Sequence, residues 1–197
     1  MKDTVTGSDG RLRCSWSQSA PEFPHYHDTE WGFPVTDDIR LFEKICLESF
    51  QSGLSWRTIL VKRESFRHAF NQFDFNQVSN FTTQDVERLL QNRSIVRNKR
   101  KIVAVINNAK RAIEMVEQEG SLATFLWQFK PVTANLEAPQ SQTTSLESTA
   151  LAKALKQRGW QFVGPSTAYA FMQAMGLIND HVEGCYLREI IEKGNRA

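Results

Sequence analysis

The stretch of sequence that decides the fold is RLLQNRSIVRNKRKIVAVINNAKRAIEMVEQEG, residues 88–120. Apolar residues in its second half recur every three or four positions, at Ile102, Val105, Ile106, Ala109, Ile113 and Val116. This period predicts a long helix with one apolar face. Gly120 is placed to end that helix, and the polar link 91–98 predicts a tight turn into it from a preceding helix.

Helical period also dominates the rest of the chain. Residues that can cap a helix precede three further apolar-periodic segments, namely Asp37 and Asp38, Ser55, and Thr82 with Asp85. These segments run to about residues 50, 70 and 90, and two later helices are expected near 150–158 and 167–175. Because no convincing alternating strand is found, the sequence predicts an all-α globule.

Length and composition favour one globular unit. The chain has 197 residues, 41% of them hydrophobic, and a formal net charge of only +2. We expect a disordered tail at 1–11, a lobe that joins 12–54 to 131–197, and a second lobe at 55–130, with a Ser-, Thr-, Gln- and Pro-rich connecting loop at 131–149. No apolar run approaches the roughly 18 residues of a membrane span, and the polar start is unlike a secretory signal. We therefore expect a cytoplasmic chain with no membrane partner.

Four potential metal ligands stand near the two ends of the chain. Cys14 and His27 lie near the start, and His181 and Cys185 are spaced by four residues near the end. Two thiolates and two imidazoles make a complete tetrahedral zinc set, and closed sets are structural more often than catalytic. Zinc here would clip the N-terminal segment to the C-terminal one. The alternative is that these are unrelated core residues.

A run of cations without any acid lies between residues 88 and 111. Its members are Arg88, Arg93, Arg97, Lys99, Arg100, Lys101, Lys110 and Arg111. They are densest at the turn before the long helix, where exposed backbone N–H groups could also meet a phosphate. The pattern indicates a nucleic-acid backbone contact, although a solvated helix face gives the same composition.

Glu48 shares a predicted apolar helix face with Leu41 and Ile45. Four aromatic residues could stand near it: Trp56, just past the helix-breaking Gly53, and Tyr26, Trp16 and Trp31. One carboxylate between flat rings would suit a flat cationic guest. The alternative is that Glu48 pairs with Lys44 while the rings pack in the core.

Three strings of the sequence match a known family. They are YHDTEWGFPVTDD at 26–38, LFEKICLESFQSGLSWRTIL at 41–60, and FVGPSTAYAFMQAMGLINDHVEGC at 162–185. The chain resembles the bacterial 3-methyladenine DNA glycosylase I family over about residues 12–185. The resemblance implies a helix-hairpin-helix glycosylase with one structural zinc. It further implies a monomer that hydrolyses the N-glycosidic bond of 3-methyladenine in alkylated double-stranded DNA and leaves an abasic site.

The resemblance also implies roles for individual residues. Glu48 would be the catalytic acidic residue of the base pocket, Tyr26 and Trp56 its stacking walls, and Trp16 and Trp31 would lie nearby. The zinc ligands would be Cys14, His27, His181 and Cys185. The DNA contacts would come from Arg97, Lys99 and Lys101 in the hairpin, and from Gly53 and Leu54 where a residue wedges into the duplex.

Some positions depart from the family pattern. Ser94 and Arg100 stand where the family hairpin usually carries glycines, Phe23 where we expect a Tyr, and Ala170 where we expect a small hydroxyl. Two other functions stay open on the sequence alone. One is a zinc-stapled helical module that binds nucleic acid without catalysis, and the other is a hydrolase of free nucleosides.

Overall fold

The computed structural model describes residues 4–132 and 138–194. The protein is 61% helical, which confirms the predicted all-α class. Its α-helices are α1 Phe23–Thr29, α2 Asp38–Gln51, α3 Trp56–Leu60, α4 Arg63–Ala69, α5 Phe75–Val78, α6 Thr83–Gln91, α7 Lys99–Glu119, α8 Leu122–Leu126, α9 Leu146–Gln157, α10 Pro165–Ala174 and α11 Tyr186–Gly194. Short 3₁₀ turns lie at Ser15–Gln18, Asn71–Phe73 and Trp127–Phe129.

The predicted caps form at the helix ends. The Asp37 carboxylate accepts a hydrogen bond of 2.8 Å from a backbone N–H in the first turn of α2, and Ser55 caps α3 in the same way. Thr82 and Asp85 form the capping box that begins α6. Gly120 ends α7 with a φ of 86°, a left-handed conformation that costs glycine little. Each cap satisfies N–H or C=O groups that the helix itself leaves without partners.

Helix α2 runs through the middle of the molecule. All of its residues from 41 to 50 are buried, and it contacts α7, α8 and α10. Large apolar side chains such as Phe42 and Phe50 fill the core around it. Glu43, Lys44 and Glu48 are buried on the same helix. Because an unpaired buried charge is costly, each of these side chains needs a polar partner inside the fold.

The N-terminal segment differs from the predicted tail. Residues Thr4–Thr6 form strand β1, which pairs antiparallel with strand β2, Leu12–Cys14. The Arg13 guanidinium holds this hairpin, since it bonds Asp9 at 2.7 Å and Asp28 of α1 at 2.7 Å. The prediction of a disordered tail at 1–11 is therefore wrong for 4–11, while residues 1–3 lie outside the described residues.

Two helix boundaries also differ from the prediction. The single helix expected from Ser55 to residue 70 is divided into α3 and α4 by a turn at 61–62. Helix α9 begins at Leu146, within the predicted connecting loop, because Ser145 and Ser148 cap each other. Residues 133–137 of that loop lie outside the described residues. The division into two lobes stays a prediction, and none of the described helices is long and apolar enough to cross a membrane.

Candidate functional site

Cys14, His27, His181 and Cys185 meet in one buried cluster. Strand β2 ends at Cys14, α1 carries His27, and the turn before α11 carries the other two. One ligand atom from each residue lies within 4.8 Å of all the others. The Cys185 Sγ is 3.5 Å from His27 Nε2 and 3.5 Å from His181 Nδ1, and the Cys14 Sγ is 3.6 Å from His181 Nδ1.

These distances fit a tetrahedral zinc ion. Zinc bonds of about 2.3 Å to sulfur and about 2.0 Å to nitrogen give sulfur–nitrogen edges of about 3.6 Å. The second nitrogen of each imidazole also has a partner: His27 Nδ1 lies 2.8 Å from Asp28 Oδ1, and His181 Nε2 lies 3.1 Å from the Trp31 carbonyl oxygen. Such outer partners fix the orientation of a ligating imidazole. The cluster could therefore hold one zinc ion with no position left for substrate.

The two thiols of the cluster have opposite pKa shifts. The Cys14 side chain and the two imidazoles lower the pKa of Cys185. Its neighbour Cys185, together with burial, raises the pKa of Cys14. One thiolate is thus favoured before any metal binds, and a bound cation would favour the second.

A cleft of about 280 Å³ lies next to this cluster, and all the predicted pocket residues line it: Trp16, Tyr26, Trp31, Glu48 and Trp56. The rings of Trp16 and Trp31 are 5.1 Å apart at an angle of 78°. Those of Tyr26 and Trp56 are 5.5 Å apart at 41°. The structure therefore brings these residues to one place, with flat rings on more than one wall.

The cluster of Cys14, His27, His181 and Cys185 packs against two tryptophans of the cleft. The Trp16 ring packs 5.3 Å from the imidazole of His27, and the Trp31 ring packs 4.7 Å from that of His181. Because the imidazoles are themselves fixed by hydrogen bonds, the two indoles have a rigid base. The four-residue cluster and the walls of the cleft are thus in direct contact.

Glu48 both faces the cleft and pairs with a lysine. Its Oε1 lies 2.8 Å from the Lys44 Nζ, one helical turn away on α2. Within residues 4–132 and 138–194, no hydrogen bond reaches its Oε2, which leaves that oxygen for a guest. The pocket and the pairing with Lys44 were opposed alternatives on the sequence, whereas the structure contains both.

Lys44 contacts three residues of the cleft, although the sequence offered its pairing with Glu48 only as an alternative to a pocket. Its ammonium also donates to the Tyr26 hydroxyl oxygen at 2.8 Å and lies 3.5 Å from the centre of the Trp56 ring. Burial lowers the pKa of Lys44, and the nearby Glu48 opposes that shift. Burial also raises the pKa of Tyr26, which keeps its hydroxyl protonated. The spacing of four between Lys44 and Glu48 was the available signal.

Two of the positions that depart from the family pattern line the same cleft. Phe23 and Ala170 both contribute apolar surface to it. Neither side chain can donate or accept a hydrogen bond, so the polar side-chain groups of the residues that line the wall are those of Glu48, Gln51 and Tyr26 and the indole N–H groups of the three tryptophans. Aromatic rings therefore make up most of the wall of the cleft, with Glu48 as its one carboxylate among the described residues.

The turn between α6 and α7 exposes most of its cations. Arg93, Arg97, Lys99 and Arg100 are all exposed there, as a phosphate contact requires. Lys101 is different and corrects the prediction, because it is buried and its ammonium donates to the carbonyl oxygens of Phe50 and Ser52. It is thus not available to DNA.

Gly53 and Leu54 form the turn that follows α2. Gly53 has a φ of 84° and open space around it, so the chain reverses there without strain for glycine. The side chain of Leu54 is 39% exposed although it is apolar. The Gln51 side chain donates to the Leu54 carbonyl at 2.5 Å and fixes the turn. An exposed leucine on a fixed turn near the cleft agrees with the predicted wedge, which stays a prediction.

Comparison with known proteins defines first the class and then the family. The fold is that of the all-helical DNA glycosylases, since it superposes on a crystal structure of 3-methyladenine DNA glycosylase I with a TM-score of 0.82 and 47% identity, covering 88% of this chain and 98% of that one. The family model described as methyladenine glycosylase matches residues 16–189. The chain belongs to the methyladenine glycosylase family.

Relatives of known identity belong to the same family. DNA-3-methyladenine glycosylase 1 of Escherichia coli (strain K12) is 46% identical over 88% of this chain and 95% of its own length. A variant of 3-methyladenine DNA glycosylase I that was crystallised in complex with 3-methyladenine is 35% identical, covers 89% of this chain and 97% of its own, and superposes with a TM-score of 0.83.

Proposed function

We propose that this protein is a base-excision repair glycosylase that removes 3-methyladenine from alkylated double-stranded DNA and leaves an abasic site. The observation that carries the proposal is the carboxylate of Glu48 in the lining of an aromatic cleft, in a chain of the methyladenine glycosylase family. Methylation at N3 makes the base cationic and weakens its bond to the sugar. A single carboxylate and flat rings suit such a base.

Hydrolysis of this weakened glycosidic bond needs little acid–base catalysis from the protein. Water adds to C1′ and loses a proton while the bond from C1′ to the base nitrogen breaks. The bonding pair moves onto the ring and cancels its positive charge, so the base leaves neutral. Glu48 would hold the base by a hydrogen bond, and Trp56 and Tyr26 would stack on it. The base must first leave the duplex, which costs less for a damaged base.

The position of Lys44 supports hydrolysis without strand cleavage. Cleavage by a lyase needs an amine that attacks C1′ as a nucleophile. Lys44 is not among the residues that line the cleft, and its ammonium is engaged by Glu48 and Tyr26. We expect a monofunctional enzyme.

DNA and zinc complete the proposal. Arg97 and Lys99 would contact phosphates, Gly53 and Leu54 would enter the duplex, and Cys14, His27, His181 and Cys185 would hold one structural zinc. Bound zinc would supply a fixed link between the ends of the chain, because a closed four-ligand shell has no position for water. We also propose that the protein acts as a monomer in the cytoplasm.

One incubation tests the enzyme proposal. Purified protein is mixed with methylated duplex DNA, and the released bases are separated by chromatography. We expect 3-methyladenine from the wild type and at least about tenfold less from Glu48→Gln, because the negative charge is lost and one of the two acceptor oxygens becomes an NH2 donor. Glu43→Gln is the matched control, since Glu43 is a buried carboxylate of the same helix that pairs with Arg67 instead.

The same experiment separates the other functions. A nucleic-acid-binding module without catalysis would bind the duplex and release no base. A nucleoside hydrolase would act on free methylated nucleosides and ignore DNA. Equal release by Glu48→Gln and the wild type would remove Glu48 from the mechanism.

A further inference from the structure

The Lys44 ammonium has three partners among the residues of the cleft. Its Nζ lies 2.8 Å from Glu48 Oε1, 2.8 Å from the Tyr26 hydroxyl oxygen and 3.5 Å from the centre of the Trp56 ring. An ammonium has three donors, so this lysine has no hydrogen left for another partner. Its only described contacts of this kind are with the proposed base-binding residues.

Lys44 contacts these residues from outside the cleft. It is not among the residues that line the cleft, and it lines a separate small cavity to which Tyr26 and Trp56 also contribute. Two ion pairs lie in that cavity: Arg63 pairs with Glu30 at 2.9 Å, and Arg67 with Glu43 at 2.9 Å. A further cation of its lining, Arg40, is exposed, so solvent screens its charge. Among the described residues, the cation paired directly with Glu48 is Lys44.

The ion pair between Lys44 and Glu48 changes how strongly the cleft can distinguish a cationic purine from a neutral one. An isolated buried carboxylate attracts a cationic purine far more strongly than a neutral one of the same shape. An ammonium 2.8 Å from that carboxylate cancels most of the attraction, because it repels the cation from nearly the same position. The indole of Trp56 also carries a cation on one side already, which weakens its attraction for a second cation on the other.

We infer that Lys44 determines specificity: as the internal counter-ion of Glu48 it leaves the cleft without net charge, so the cleft accepts neutral alkylated purines as well as cationic ones. The inference rests on the proposed function and concerns which bases the cleft binds. Stacking on the rings and the hydrogen bond to Glu48 Oε2 then select the guest, and its charge contributes little.

The test measures binding of two free bases that differ in charge. The probes are 3,9-dimethyladeninium, which carries a fixed positive charge, and 9-methyladenine, which is neutral. Quenching of tryptophan fluorescence gives a Kd for each, since Trp16, Trp31 and Trp56 line the cleft. We expect Lys44→Met to shift the ratio of the two Kd values at least about tenfold in favour of the cation. Lys44→Arg keeps the charge and is expected to keep the ratio within about threefold.

A double-variant cycle keeps the test independent of folding problems. Lys44→Met leaves Glu48 buried without a counter-ion, which is destabilising, whereas Lys44→Met with Glu48→Gln removes both charges. The double variant is expected to keep the wild-type ratio within about threefold, and Glu48→Gln alone is expected to disfavour the cation at least about tenfold. A merely structural role of Lys44 would change both Kd values together and leave the ratio unmoved.

The inference would be overturned if Lys44→Met left the ratio of the two Kd values unchanged, either in the wild type or in the Glu48→Gln variant. Its failure is distinct from failure of the proposed function. If the wild type releases 3-methyladenine from DNA but the ratios stay constant, only the role of Lys44 is wrong. If no base is released but the ratios shift as expected, the enzyme proposal is wrong and the charge balance of the cleft stands.

Discussion

The Lys101 ammonium donates a hydrogen bond of 2.6 Å to the carbonyl oxygen of Ser52. It makes a second one, of 3.0 Å, to the Phe50 carbonyl. Both oxygens belong to the last turn of α2, where helix carbonyls lack partners within the helix. Lys101 itself lies in the first turn of α7, next to the exposed cations. One side chain thus joins the basic turn to the segment that presents Gly53 and Leu54.

Loss of Lys101 should therefore reduce stability. Lys101→Met leaves two carbonyl oxygens without their partner, and we expect the free energy of unfolding to fall by about 1–3 kcal/mol. Urea denaturation measures this value. The matched control is Lys99→Met, two residues away but exposed, which should stay within about 0.5 kcal/mol of the wild type. Equal stability of the two variants would contradict the capping role of Lys101.

Lys99 should instead affect DNA binding. Lys99→Gln removes one exposed cation, so we expect weaker binding to every duplex sequence and a plot of log K against log salt that is shallower by about 1. Fluorescence anisotropy at several salt concentrations gives both values. Lys110→Gln is the control, because this exposed lysine lies on the same helix, about 16 Å further along it. If the two variants behaved alike, the duplex would not lie at the turn.

Local chemistry was enough to predict most of the helices. The caps at Asp37 and Ser55 and the capping box of Thr82 and Asp85 each involve residues no more than three positions apart. The long helix that ends at Gly120 repeats its apolar residues with one period. Such signals are complete within a short window of sequence, which explains why these elements are where the sequence predicts them.

What the sequence did not reveal depends on contacts between distant segments. Lys101 looks like its exposed neighbours until α2 meets it, and its partner Ser52 is 49 residues away. The N-terminal hairpin likewise depends on the bond from Arg13 to Asp28, 15 residues apart. For the site, sequence spacing offered the Lys44–Glu48 pair only as an alternative to the pocket. That both occur together follows from the packing of Tyr26 and Trp56 against α2.

The exposed side chain of Leu54 leads to a prediction about base extrusion. If Leu54 fills the space that the base leaves, Leu54→Ala should slow release of 3-methyladenine from duplex DNA by about tenfold, because unstacking costs a few kcal/mol. Release from single-stranded DNA should change much less, since no duplex has to be opened. Val61→Ala is the control, because Val61 is also apolar and 53% exposed but lies beyond α3. An equal slowing on both kinds of DNA would argue against a wedge.

The buried ligand cluster gives the final prediction. Metal analysis should find about one zinc per chain, and Cys185→Ala should lose it and destabilise the fold by about 3 kcal/mol or more, because metal binding free energy is folding free energy. Cys46→Ala should keep the zinc, since Cys46 is buried on α2 outside the cluster. The Trp16 and Trp31 rings pack on His27 and His181, so Cys185→Ala should also bind 3-methyladenine more weakly in a fluorescence titration. If the metal-free wild type were as stable as the zinc-loaded protein, zinc would not stabilise the fold by linking the two ends of the chain.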